Sequence, residues 1–326
     1  MKKKAVTLQQ IADKCSLSKS TVAYILREPE TCSAKPQTKK LVLDTAKNMG
    51  YVSNTAARAL STGSYRTIGL LFPRTDGHYG DLIMALDREL KNRGYHGIFS
   101  FWENDGFPEA VKKLCQQVID GIISLETDPA LKNSGKPVVI YDNPWEEYDC
   151  VYPDKTAYAE QIFEYITKRG YTRIGFFGIT TEIRARRLKE LILNANLPYK
   201  DEWFIKVPGC RQYGEEAMEL LLKNDQLPEV VVLHSDVLIG GVLKAARRQG
   251  IRIPEDIALA SYDNLLESTL FDPGITSADP QIVIQAKLLL KTLLQRIETP
   301  ELPIQHISVP TLLKERDSLP AKNKIS

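Results

Sequence analysis

The sequence predicts a small all-α head followed by a larger two-lobed α/β body built on parallel sheets. Three observations predict it. Charge is divided unevenly: residues 1–65 carry 11 Lys and Arg against 4 Asp and Glu, a net +7, whereas residues 66–326 carry 32 against 37, a net −5. In the head, Leu8, Ile11, Ala12 and Cys15 recur at i, i+3, i+4, i+7, the spacing of one helical face. Beyond residue 67, short apolar runs alternate with helical stretches in two successive series, the pattern of parallel strands joined by crossover helices. The length of 326 residues allows two domains at about 150 residues each, with a small third element.

Composition narrows the class. Hydrophobic residues at 43% and charged residues at 26% lie near the globular average, so a disordered or collagen-like chain is excluded. No apolar run reaches the ~18–20 residues of a membrane span. The basic start Met1-Lys2-Lys3-Lys4 is not followed by an apolar stretch, so no signal peptide is expected. The cysteines (Cys15, Cys32, Cys115, Cys150, Cys210) are odd in number and lack a Cys-x-x-Cys pair. They read as reduced cytosolic thiols and not as a metal site or a disulfide framework. A basic head on an acidic body suggests that the head meets a polyanion; a solubilising tail is the competing reading.

The head reads as helices. Thr7-Leu8-Gln9-Gln10 is a capping box, with Thr7 as cap and Gln10 at N3. Cys15-Ser16-Leu17 makes a tight turn, and Ser18 can cap a second helix whose buried face is Val22, Ile25 and Leu26. Its other face carries Lys19, Ser20, Thr21 and Tyr24. Two short helices on a tight turn form a helix-turn-helix, whose second helix enters the major groove and places its N-terminal side chains on base edges. A third helix is expected over 38–49, with Leu41, Val42, Thr45 and Met49 inward and Gly50 as the stop.

Those residues, with Thr21-Val22 and then Gly50-Tyr51-x-x-Asn54-x-x-Ala57-Arg58-x-Leu60, resemble the LacI/GalR family of bacterial transcriptional regulators. The resemblance continues into Thr67-Ile68-Gly69-Leu70-Leu71-Phe72-Pro73 and, more weakly, almost to the C-terminus. It implies a homodimer that binds double-stranded, near-palindromic operator DNA under the control of a small effector. Leu8, Ser18, Lys19, Ser20, Thr21, Tyr24 and Ser33 are its candidate DNA contacts in the head. Residues 54–60 correspond to the family's hinge helix, with Asn54, Ala57 and Leu60 at the minor groove and Leu60 as the wedge between base pairs. There are departures. Ser16 stands for the family's turn glycine and must accept a backbone conformation that glycine takes more cheaply. Ala23-Tyr24 replaces Ser-Arg, and Ser53 replaces the hinge proline. The family's common operator sequence therefore does not carry over.

In the body, strands are expected at 68–72, 97–101, 121–125 and 137–141, then at 172–178, 229–233 and 257–261. Helices are expected at 79–94, 108–119 and 237–250. Two such series look like a periplasmic-binding-protein-like body with a ligand cleft beyond the strands' carboxyl ends. The expected boundaries are a head over 1–52, a hinge and linker over 53–65, and a body over 66–326. Within the body the first lobe takes 66–153 and 279–311, and the second takes 154–278 and 312–318. The resemblance marks Tyr79, Asp142, Arg184, Ser235 and Asp263 as candidate effector contacts, with Ser235 replacing an asparagine. A solvated helix face is the competing reading for Arg184, helix packing for Tyr79, and capping for the two aspartates. Trp102 and Trp145 could line a sugar site or belong to the core.

The effector expected by resemblance is a sugar or sugar derivative. No cofactor, metal or membrane partner is expected. The four histidines form no His-x-x-x-His pair, and the sequence holds neither a Gly-x-Ser-x-Gly nor a P-loop, so no catalytic constellation is expected. A transport-type ligand receptor is the runner-up class; the absent signal peptide and the helix-turn-helix count against it.

Overall fold

The computed structural model describes residues 6–27, 32–51, 64–73, 79–104 and 106–322. The chain divides into two units, Met1–Tyr65 and Arg66–Ser326.

The first unit contains α1 (Leu8–Cys15), α2 (Lys19–Arg27) and α3 (Pro36–Met49). The capping box forms: the Thr7 hydroxyl accepts from the Gln10 amide, and the Gln10 side chain accepts from the Thr7 amide. Ser16 ends α1 in the left-handed region at φ 54°, the conformation the turn demanded. The Ser18 hydroxyl accepts from the Thr21 amide at 3.0 Å and starts α2. Ile11, Ala12, Cys15, Val22, Ile25, Cys32, Val42 and Ala46 make the core, with Leu8, Leu26, Met49 and Tyr51 packed half-buried against it. Leu41, expected inward, is 50% exposed. The stripe that faces the core runs through Val42, Thr45, Ala46 and Met49, and Leu41 lies one residue, about 100° of helix, to its side. Pro36 at the first turn starts α3 two residues earlier than expected.

The second unit contains two six-stranded sheets with the same strand order. In the first, the order is β11-β5-β4-β3-β1-β2, with β1 (Thr67–Pro73), β2 (His96–Trp102), β3 (Gly121–Ser124), β4 (Val138–Tyr141), β5 (Asp149–Pro153) and β11 (His306–Val309). In the second it is β12-β10-β9-β8-β6-β7, with β6 (Ile174–Gly178), β7 (Phe204–Lys206), β8 (Val230–Leu233), β9 (Ala258–Tyr262), β10 (Thr276–Asp279) and β12 (Leu312–Lys314). The 2-1-3-4-5 order is a doubly wound α/β arrangement, with helices on both faces and apolar cores on either side of each sheet. Every pairing is parallel except β10 with β12, which is antiparallel, so the expectation of parallel sheets holds with one edge strand reversed.

Several boundaries shift. The helix expected to 119 is Phe107–Cys115, and the one expected over 237–250 is a 3-10 turn Asp236–Leu238 followed by Ile239–Arg248. The helices Lys155–Lys168, Tyr213–Leu221 and Ile282–Glu298 and the strand β5 complete the layers. Among the described residues no helix is long and apolar enough to cross a membrane.

Candidate functional site

Both sheets direct the carboxyl ends of their strands at one cleft of about 410 Å³. β4 delivers Asp142, β8 delivers His234, β9 delivers Asp263, and the helix Gly80–Asn92 that follows β1 begins beside Tyr79. The tripeptide Tyr-Asp-Asn occurs at equivalent strand ends of the two lobes, as Tyr141-Asp142-Asn143 after β4 and Tyr262-Asp263-Asn264 after β9. Both aspartates take left-handed backbone, φ 84° and 96°, where the chain turns sharply off the strand. A side chain held in a disfavoured conformation at a cleft marks a position fixed by its surroundings.

Arg184 is buried, which removes the solvated-face reading. It sits in the first turn of the helix Ile183–Asn194. Its Nε donates to Glu182 at 3.0 Å, its Nη1 lies 3.6 Å from Asp263, and its guanidinium stands 4.8 Å from the Tyr262 ring centre. Burial alone would push its pKa down, but the Glu182 and Asp263 carboxylates outweigh that and hold it up. Arg184 Nη2 also lies 3.4 Å from His234 Nε2. His234 fits there because its neighbours are glycines: a Cβ on Gly178 would meet the His234 Cβ at 2.1 Å. Lys155 donates to Asp142 at 2.8 Å and to Asn143 at 3.3 Å. The cleft tyrosines are strongly hydroxyl in character. Burial pushes Tyr79, Tyr141 and Tyr158 up, and the charges of Asp142 or Asp263 push them further. The arrangement offers carboxylate acceptors, phenol donors and one guanidinium, which suits a hydroxyl-rich polar ligand.

The structure thus brings together Tyr79, Asp142, Arg184 and Asp263. It corrects Ser235, which is fully buried and accepts the Val237 amide at the start of the 3-10 turn; His234, one residue earlier, lines the cleft instead. Ser235 lies beyond β8 and caps the 3-10 turn Asp236–Leu238, so its hydroxyl is spent on the turn and not presented to the cleft. Trp102 packs against Phe107 with ring centres 4.7 Å apart, and neither Trp102 nor Trp145 lines the cleft. Lys155, Glu182 and Tyr158 line it and were not anticipated. The repeated Tyr-Asp-Asn was the available signal for the strand ends; nothing in the sequence singles out Lys155.

In the first unit, Lys19, Ser20 and Tyr24 are exposed on α2, and Thr21 is half-buried. Ser18 and Thr21 share a 2.7 Å hydroxyl contact. Ser33 is exposed, and Leu8 is half-buried against the core. Asn54, Ala57 and Leu60 lie outside the described residues.

Residues 163–319 match the model of the periplasmic binding protein-like domain. A repressor from Mannheimia succiniciproducens, the HTH-type transcriptional repressor PurR, is 24% identical over 89% of this chain and 92% of its own. The lac repressor dimer bound to operator and the anti-inducer ONPF superposes with a TM-score of 0.82 at 17% identity, over 98% of this chain and 100% of that one. The transcriptional regulator CelR in complex with cellobiose superposes at 0.70 with 22% identity, over 96% and 99%. The chain is similar to HTH-type transcriptional repressors and shares the fold of the lac repressor. The similarity takes in both units, since it covers 89% of this chain for the repressor and 96–98% for the two regulators. The second unit has its cleft where β1, β4, β8 and β9 end.

Proposed function

We propose that this chain is a sequence-specific, DNA-binding transcriptional repressor whose operator affinity is set by a small polar effector, a sugar or sugar derivative, bound between the two lobes. The observation that carries the reading is the pairing, in one chain, of two features. One is a three-helix head with an exposed Lys19, Ser20 and Tyr24 face. The other is a two-lobed body whose strand ends converge on Tyr79, Asp142, Arg184 and Asp263. In this reading Lys19, Ser20 and Tyr24 meet base edges and Thr21 meets phosphate, with Leu8, Ser18 and Ser33 beside the backbone. Asn54, Ala57 and Leu60 act in the minor groove, and Leu60 is the wedge.

The active form is a homodimer on a near-palindromic operator. Met84, Val283 and Ile284, and on the other lobe Leu266, Leu270 and Leu312, are large apolar side chains exposed on the single chain, which suits burial against a second copy. The relatives are regulators, and we read the cleft as one that binds without turnover, in a cytoplasmic protein that joins the nucleoid when DNA-bound. The test has two stages. Genomic fragments are screened by gel shift with the full chain; a thermal-shift screen of carbohydrates and nucleosides then supplies compounds to be retested on the retained fragment. Retention of a discrete fragment, altered by a compound that raises the melting temperature, is expected. Failure to retain any fragment at low salt overturns the reading.

A further inference from the structure

Five charged side chains of the cleft form an alternating row: Asp142, Lys155, Glu182, Arg184, Asp263. Its links measure 2.8, 3.9, 3.0 and 3.6 Å. Only the first link crosses from lobe to lobe. Asp142 ends β4 of the first sheet. Lys155 opens the helix Lys155–Lys168, whose buried face (Tyr158, Ala159, Ile162 and Ile166) belongs to the core under the second sheet. Asn143, also of the first lobe, accepts a second bond from the same ammonium. The Lys155 side chain is 15% exposed and that of Asp142 25%, so the pair is shielded from water far better than a surface bridge.

We propose that Lys155 is an interlobe tether: its ammonium joins Asp142 of the first lobe to Glu182 of the second, and so fixes both the closure of the cleft and the orientation of the Asp142 carboxylate. Both the Lys155 and the Asn143 contacts to that carboxylate fall on Oδ2, which leaves Oδ1 for a ligand hydroxyl. Without the ammonium, Asp142 and Glu182 would face each other across the cleft as like charges, and the lobes would separate. Lys155 therefore positions an effector group while standing in for part of what an effector does, which is to hold two lobes at one angle. The role in effector binding rests on the function proposed above. The tether itself does not, so the experiment reads lobe separation without effector or DNA.

Spin labels are attached through bioorthogonal residues at Lys112, exposed on the first lobe, and Lys223, exposed on the second, which leaves the native cysteines in place. Pulsed dipolar spectroscopy on the full-length protein then reports their distance distribution. One narrow distribution is expected for the labelled parent. Lys155→Met should add a longer-distance population, Asp142→Asn should do the same, and Lys155→Arg should restore the narrow distribution. Circular dichroism checks that each variant folds; should Lys155→Met fail to fold, Asp142→Asn and Lys155→Arg decide. The parental distribution in the folded charge-removing variants would overturn the tether. So would separation in Lys155→Arg equal to that in Asp142→Asn, because a cation at that place would then make no difference.

Discussion

Asp263 and Asp236 show how neighbouring carboxylates take different roles. Asp263 faces Arg184 in the cleft, whereas Asp236 is fully buried, accepts the Leu265 amide at 2.7 Å and accepts the Ser277 hydroxyl at 3.0 Å. Asp236 thus holds the loop that carries Asp263. Burial, and next the Asp263 charge, push its pKa up to about 8. Between its ordinary value of 3.8 and about 8 the folded protein holds a proton that the unfolded chain releases. Its contribution to stability therefore declines as pH rises through that interval and is level above it. Asp236→Asn keeps a carbonyl oxygen that can accept from Leu265 or Ser277, without the titration. The fall in melting temperature from pH 5 to pH 8 should accordingly be smaller in the variant, as differential scanning fluorimetry would show. At Asp263 the expectation differs. Asp263→Ala leaves Arg184 bonded to Glu182, so no buried cation is orphaned and the fold should survive. Effector binding should fall at least tenfold in calorimetric titration; unchanged affinity would remove Asp263 from the site.

At the scale of elements, α2 separates its roles by face. Val22 and Ile25 are buried while Lys19, Ser20 and Tyr24 are exposed, so substitutions at the second set can alter recognition without disturbing the core. Tyr24→Ala should relax sequence preference at one or two symmetric operator positions, at about 1–3 kcal/mol per disturbed base contact. Binding measured across an operator library tests this; a uniform loss over all sequences would make Tyr24 a backbone contact. These faces were legible in the sequence because a helix writes its burial at a fixed spacing, as do its caps: Thr7, Gln10 and Ser18 act as their residue types foretell. The strand ends at Asp142 and Asp263 were legible because apolar runs stop there. Contacts between residues far apart in sequence were not. Lys155 meets Asp142 only because the chain passes after β5 from the first lobe to a helix of the second that begins at the cleft, and Ser235 is turned from the cleft by the 3-10 turn that it caps. Leu41 was misplaced for a related reason: two adjacent apolar residues on α3 cannot both point to one narrow core.

At the scale of the whole molecule, the chain's charge follows its division into two units. The unit Met1–Tyr65 carries a net +7, and Arg66–Ser326 carries −5. Each has its own apolar core, so each has the means to fold without the other. The basic unit can displace counterions from DNA phosphates, whereas the acidic one would be repelled by them. Operator affinity should therefore fall steeply with salt, as the logarithm of the binding constant declines linearly with the logarithm of salt concentration. Removal of residues 1–60 should abolish DNA binding yet leave a folded body that still binds the effector. Fluorescence anisotropy with labelled operator over a salt series, alongside effector titration of the truncated chain, measures both. An affinity indifferent to salt, or undiminished by the truncation, would place the DNA contacts outside the head. Loss of effector binding in the truncated chain would mean that the cleft depends on the head for its integrity. A ligand can change operator affinity only to the extent that it binds the two lobe arrangements unequally. The intact chain should therefore show reciprocal coupling that the truncated one cannot: operator should shift effector affinity by the same factor by which effector shifts operator affinity.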